Sequence, residues 1–310
     1  NTGAITVGDE STDSSTFAGG LDTTAGGTEN FAGTVAATDN QIDIGVASVT
    51  ADATIDGGTG AINTAAMTVA DASTLTVGTG AVGAPTIASV TGANGGGAAS
   101  NLTLNSTGVA SVGAVGTNMG TVTVTQSGGT TFSSTVDAVA VTLTDTTGTI
   151  QFDGALTATD LNTAAKGYGV SLLGGSTIAN AVTFSNTGTT QIGDATGDTN
   201  TFNGGVTATA GAVTASGSVV TSEDNLALGA VTLVEAQTLT LDTANTGGGN
   251  ITVASLTGVT GGSSENITLE SGSGTITVSG AVGTDIGTLT VMQSGGTTFA
   301  STVGAATVTL

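Results

Sequence analysis

Gly120 to Val136 reads GTVTVTQSGGTTFSSTV, and Gly287 to Val303 reads GTLTVMQSGGTTFASTV; fourteen of the seventeen positions are identical, at an offset of 167. Working outward, GAVGT at 113 recurs at 280, TIASVTG at 86 parallels TVASLTG at 252, and MTVADASTLTV at 67 parallels VTLVEAQTLTL at 231. TENFAGTVAAT at 28 resembles TNTFNGGVTAT at 199, and TGAITV at 2 resembles TGTIQF at 147. Self-similarity of this kind is the signature of a repeat architecture. The chain therefore divides into two tandem copies, 1–143 and 144–310, expected to form one continuous body. Between Val7/Phe152 and Phe17/Phe184 the offset rises from 145 to 167, which places 22 extra residues near 155–176 of the second copy. An insertion that leaves its flanks in register is what one added turn of a coil would look like.

The short-range pattern agrees. Apolar-Thr-apolar triplets begin at Leu102, Val122 and Val141 in the first copy and at Ile267, Leu289 and Val308 in the second, spaced 19 to 22 residues apart. Period-two alternation of this sort is a strand with one buried face, and the Gly, Asn, Asp and Ser clusters between triplets are turns. The best helical stretch, Asp160 to Lys166, is too short to count. Strands of three to five residues are unstable alone, and a circuit of about 20 residues buries little unless the next stacks on it. The reading is an all-β parallel β-solenoid, or β-helix, of about 20–22 residues per coil and about fifteen coils, roughly 70 Å long at about 4.8 Å per rung. Phe17, Phe31, Phe132, Phe152, Phe184, Phe202 and Phe299 fall at equivalent places in the copies and read as core corner fillers.

Composition narrows the chemistry. The 310 residues carry 23 Asp and Glu against one basic residue, Lys166, with no His, Cys or Trp. Thiol nucleophiles, His-based triads, cysteine or histidine zinc sites and disulfides are excluded by their missing residues. A net charge of -22 repels nucleic acid and anionic membranes, and its natural counter-ions are divalent cations or basic partners. Disorder is disfavoured: Leu, Ile, Val and Phe make up 69 of 310 residues, and mean hydropathy is +0.34. No apolar run is long enough to span a membrane, and Asn1 opens without a charged-then-apolar leader. Solenoid termini are usually capped. Neither end reads as capped, since VTL at 308–310 matches the strand ending at Leu143, so the expectation is head-to-tail self-association or continuation into further repeats.

Runs such as TFNGGVTAT at 201 and NITLESGSGTITVSG at 266 resemble the secreted repeat proteins of bacteria that include filamentous-haemagglutinin-like and autotransporter-type β-helical adhesins. The composition is also similar to that of Thr/Ala/Gly-rich S-layer proteins, although no GGxGxD array is present. The resemblance implies a long extracellular or cell-surface protein acting as a stalk or adhesive surface.

Candidate sites are few. Asp9, Glu10 and Asp13, and Asp194, Asp198 and Asn200, cluster hard oxygens in turns and are candidates for calcium; solvated loop acids are the plainer reading. Asp52 with Asp56, and Glu223 with Asp224, are nominal carboxylate pairs for polysaccharide cleavage, without the aromatic and basic residues such clefts present. Outward Thr121, Thr123, Thr125, Thr288 and Thr290 suggest a flat hydroxyl array of the kind ice-binding solenoids use, but paired T-x-T positions do not recur on every rung. Lys166 and Tyr168 fall in the extra coil and mark a possible contact loop. The sequons at Asn101, Asn105, Asn250 and Asn266 read as Asn stacked in turn ladders. Taken together, the residues predict a non-enzymatic extracellular fibre, stalk or sheath without an organic cofactor; an S-layer lattice protein and an adhesin are the alternatives.

Overall fold

The computed structural model describes residues 3–81, 83–94, 97–243, 247–261 and 264–310. Among these there is no helix, so none is long and apolar enough to cross a membrane. The chain is an all-β parallel β-solenoid, and its contacts divide it into two compact units, Asn1–Gly154 and Ala155–Leu310.

In the first unit, three ladders of parallel strands form the faces of each rung. One runs through 34–36, 54–55, 75–77, 102–104, 122–124 and 141–143. A second runs through 42–44, 62–64, 85–87, 111–112, 131–132 and 151–152. The third joins 5–7, 29–31, 47–49, 67–69 and 90–92. Parallel strands cannot be joined by a tight hairpin; here the crossover is the rest of the rung.

Register explains the sequence alternation. Ala53, Leu75, Leu102, Val122 and Val141 stack in one inward row, and Val35, Ile55, Val77, Leu104, Val124 and Leu143 in the next. All are buried. β-branched and aliphatic residues suit a pleated, half-buried surface, and each covers its counterpart in the rung below. Fully parallel sheets are usually covered on both faces. Closing the rung supplies one cover from its own other sides, leaving the outer face free for Thr, Asn and Asp.

The second unit repeats the plan. Leu239, Ile267, Leu289 and Val308 stack in one row, and Leu228, Val253, Val278 and Phe299 in another. Residues 156–175 make one full circuit, because Leu156 pairs with Ser176 twenty positions later. The stretch Asp160 to Lys166 begins inside the strand Leu156–Thr163. Rung length varies: Val122 lies 19 residues before its partner Val141, whereas Thr238 lies 28 before Asn266.

Five phenylalanines fill the interior. Phe132 and Phe152 stack at 4.8 Å and 6°, and Phe184 meets Phe202 edge-on at 6.1 Å. Phe17 and Phe299 depart from the core-filler expectation and are partly exposed. Among the described residues Phe299 is paired on one side only, with Val278, which leaves its other side uncovered.

Candidate functional site

The outer face of the first unit carries a continuous threonine ladder. Thr34, Thr54, Thr76, Thr103, Thr123 and Thr142 pair in register through consecutive rungs, with Ser14 beside Thr34. Each is half-buried between its neighbours. The second unit carries Thr240, Thr268, Thr290 and Thr309, with Thr238, Asn266, Thr288 and Thr307 beside them. The paired T-x-T arrangement is interrupted by Ala32, Asp52, Asn101 and Ala140 in the first unit and by Asn266 in the second. The single ladder is unbroken in each of these runs.

Asparagine and aspartate side chains tie one rung to the next. Asn101 Oδ1 accepts Thr121 N–H at 2.9 Å, Asn266 Oδ1 accepts Thr288 N–H at 3.0 Å, and Asn250 Oδ1 accepts both N–H and Oγ1–H of Thr275 at 2.9 Å. Asn105 pairs in register with Gln126, which pairs with Asp145. The sequon asparagines thus tie rungs together, but Asn101, Asn105 and Asn266 do so from within strands and not from the turn ladders expected; only Asn250 lies outside a strand, just before Ile251–Thr257.

Acidic turns are built the same way twice. Asp13 Oδ2 accepts the N–H groups of Asp9 (2.9 Å) and Glu10 (3.2 Å); Asp198 Oδ2 accepts those of Asp194 and Ala195 (2.8 Å each). Gly8 and Gly193 open these turns at φ of 73° and 76°, a region that favours glycine. The Asp9 and Glu10 N–H groups hold the Asp13 carboxyl below the usual carboxylate range. Of these calcium candidates, Asp13 and Asp198 thus lock their turns, each with Oδ2 already accepting two main-chain N–H groups. Asn200 does not join its predicted partners: it is buried in Thr199–Phe202 with its Oδ1 accepting Ser176 Oγ–H at 2.8 Å, while Asp194 and Asp198 are exposed or half-exposed. Among the described residues, no three or more acidic groups cluster as a metal site.

The first carboxylate pair separates. Asp52 and Asp56 lie four residues apart on the strand Ala47–Asp56, roughly 13 Å along it, beyond the roughly 5–9.5 Å of glycosidase pairs. Asp52 Oδ1 accepts Thr74 N–H at 2.8 Å and Asp56 Oδ2 accepts Thr79 Oγ1–H at 2.8 Å. Glu223 Oε1 accepts Gly247 N–H at 3.0 Å.

Lys166 is exposed, but Tyr168 corrects the contact-loop reading, being fully buried. Its hydroxyl accepts Ala164 N–H at 2.9 Å, folding the ring under its own loop. Burial pushes the phenol above its ordinary 10.0, with the Ala164 N–H acting the other way. Two buried glutamates escaped the sequence reading. Glu29 Oε2 accepts Thr23 Oγ1–H at 2.7 Å, whereas both oxygens of Glu265 lack a partner. The available signal was ENITL at 265 aligned with SNLTL at 100, a serine exchanged for an acid.

No protein-family model, no curated protein and no solved structure matches the chain.

Proposed function

We propose that this chain is a non-enzymatic extracellular structural protein whose rungs build a fibre, stalk or sheath on a bacterial cell surface. The observation that carries this reading is the repetition, in register, of one rung chemistry: aliphatic residues inward, threonine outward, and Asn or Asp oxygens accepting N–H groups of the next rung. Such a body gains cohesion from every added rung and needs no large side chains. With one Lys and no Arg it offers almost no site to trypsin-like proteases, which suits exposure outside the cell. Its negative charge keeps lateral faces apart until divalent cations screen them.

Axial growth is the natural mode of self-association. The strand Thr307–Thr309 pairs with 288–290 on one edge, and near it Met292 and Leu310 are 65% and 83% exposed. On this reading a further rung would cover them. Electron microscopy of the purified chain tests this directly. Thin, uniform filaments support the proposal; monodisperse particles at all protein and calcium concentrations overturn it. A two-dimensional lattice favours the S-layer alternative. Surface attachment that depends on the exposed Lys166 loop favours the adhesin.

A further inference from the structure

Glu265 opens the strand Glu265–Glu270, is 0% exposed, and has no hydrogen-bond partner for either carboxylate oxygen. An ionised carboxylate buried without a donor or counter-charge is among the costliest arrangements in a protein interior, and an unsatisfied buried group in an otherwise regular fold calls for a ligand or a water.

The first unit shows the same corner satisfied. Ser100 opens the strand Ser100–Asn105 and pairs with Met119, as Glu265 pairs with Ile286. The turn beneath is closed alike in both: Ser73 N–H to Ala70 O and Gln237 N–H to Val234 O, each 3.1 Å. The following asparagine is held alike too, Asn101 N–H to Ser73 O at 2.9 Å and Asn266 N–H to Gln237 O at 3.1 Å. Ser100 Oγ–H is directed at two carbonyl oxygens, Val69 O at 2.8 Å and Ala70 O at 2.9 Å. Their counterparts in the second unit are the carbonyls of Leu233 and Val234. A carboxylate in place of Ser100 has no hydrogen to give them.

A second exchange points the same way. Asn118, immediately before Met119, donates Nδ2–H to Asn94 Oδ1; its counterpart before Ile286 is Asp285. One corner has therefore lost a hydroxyl and an amide donor and gained two carboxylates. Both residues border Gly258, the counterpart of Gly92: a Cβ there would overlap Glu265 Oε2 and lie 3.0 Å from Asp285 Cβ. Asp13 and Asp198 are different, because they are half-exposed and each has its Oδ2 held by two main-chain N–H groups, whereas neither oxygen of the buried Glu265 has a donor.

We propose that this corner is a binding site for a divalent cation of the calcium class, with the carboxylates of Glu265 and Asp285 as charged donors and the carbonyl oxygens of Leu233 and Val234 as the neutral ones. An all-oxygen set with two negative charges, closed by main-chain carbonyls, is the donor chemistry such hard cations take. The site lies wholly within the second unit and does not depend on whether the chain assembles into fibres.

The test uses the full 310-residue chain, stripped with chelator and titrated with Ca²⁺ by calorimetry, beside E265S and D285N. Both variants restore the first unit's residues, so the corner they create is one that the fold already accommodates. The expected result is one saturable Ca²⁺ per chain above the diffuse surface background, lost in E265S and at least tenfold weaker in D285N. In thermal melts, Ca²⁺ at about a hundredfold over its dissociation constant raises the wild-type midpoint by several degrees and leaves E265S unmoved. In chelator, E265S melts above wild type, since it removes a buried carboxyl group that has no hydrogen-bond partner. The proposal is overturned if wild type shows no saturable site, or if E265S and wild type bind and respond to Ca²⁺ alike.

Discussion

Phe132 and Phe299 stand at matched positions of the near-identical segments QSGGTTFSSTV and QSGGTTFASTV, yet their surroundings differ, so alanine at each separates local sequence from rung stacking. Phe132 is 0% exposed, lies between Val112 and Phe152 in its ladder, and stacks on the Phe152 ring at 4.8 Å. Truncating such a side chain removes its transfer free energy and leaves a cavity, together about 3–5 kcal/mol. Part of that is the aromatic pair, about 0.5–1.5 kcal/mol. Phe299 has Val278 on one side only and is partly exposed. With half the cover already absent, F299A costs about 1–2 kcal/mol, and the site opens to solvent without forming a closed cavity. Guanidinium melts followed by far-ultraviolet circular dichroism measure both, each compared as a midpoint at constant slope because repeat arrays need not unfold in one step. Equal destabilisation by the two substitutions, or a loss below about 1 kcal/mol at Phe132, would refute the claim that burial comes from the rungs on either side.

Deleting residues 122–140 removes one rung and brings Leu102 and Leu104 over Val141 and Leu143, so the shortened chain folds with near-native dichroism; deleting 122–131 breaks the register and abolishes the cooperative melt. Acid is the next probe. N–H and hydroxyl donors depress the carboxyls of Asp13, Asp22 and Asp39 from the ordinary 3.8. Depressed folded-state values stabilise fully above 3.8 and lose that contribution as pH falls through them, so the melting temperature holds from pH 7 to about 5 and declines below about 4. D13N then flattens the decline relative to wild type. Tyr168 is the only tyrosine and there is no tryptophan, so its absorbance reports one site. In the folded chain the phenol ionises above 10.0, and in denaturant at the ordinary value; a folded midpoint at or below 10.0 contradicts the burial of the ring. Y168F removes the acceptor of Ala164 N–H and costs about 1 kcal/mol.

The sequence made the coil legible because two independent periods agree: alternation within triplets such as Leu102-Thr103-Leu104, and their return at Val122 and Val141. The threonine ladder was legible only in part, at the middle of the triplets, Thr103, Thr123 and Thr142, because rung length is not constant. Thr76 and Thr103 are 27 positions apart but Thr103 and Thr123 only 20, so no fixed period aligns them; the strand pairing does. Turn residues misled in the other direction. Tyr168 in KGYG reads as an exposed loop, yet the loop is short enough for the ring to fold beneath it and take the Ala164 N–H. Asn200 follows two aspartates in GDATGDTN and reads as a third oxygen ligand, but it begins the alternation of the next strand and so points inward. Glu265 follows a polar stretch and reads as a surface acid; only its alignment with Ser100, in a corner with the same main-chain bonds, exposes the exchange.

Threonines 34, 54, 76, 103, 123 and 142 provide the most direct test of rung stacking, because the chain has no native cysteine and each can be replaced by a spin-labelled one. Electron paramagnetic resonance distances from position 34 to each of the other five, taken in separate double-labelled chains, should lengthen by about 4.8 Å per rung and reach about 24 Å at position 142. Distances that plateau, reverse or follow sequence separation instead of rung number would contradict the parallel solenoid and the structural role built on it.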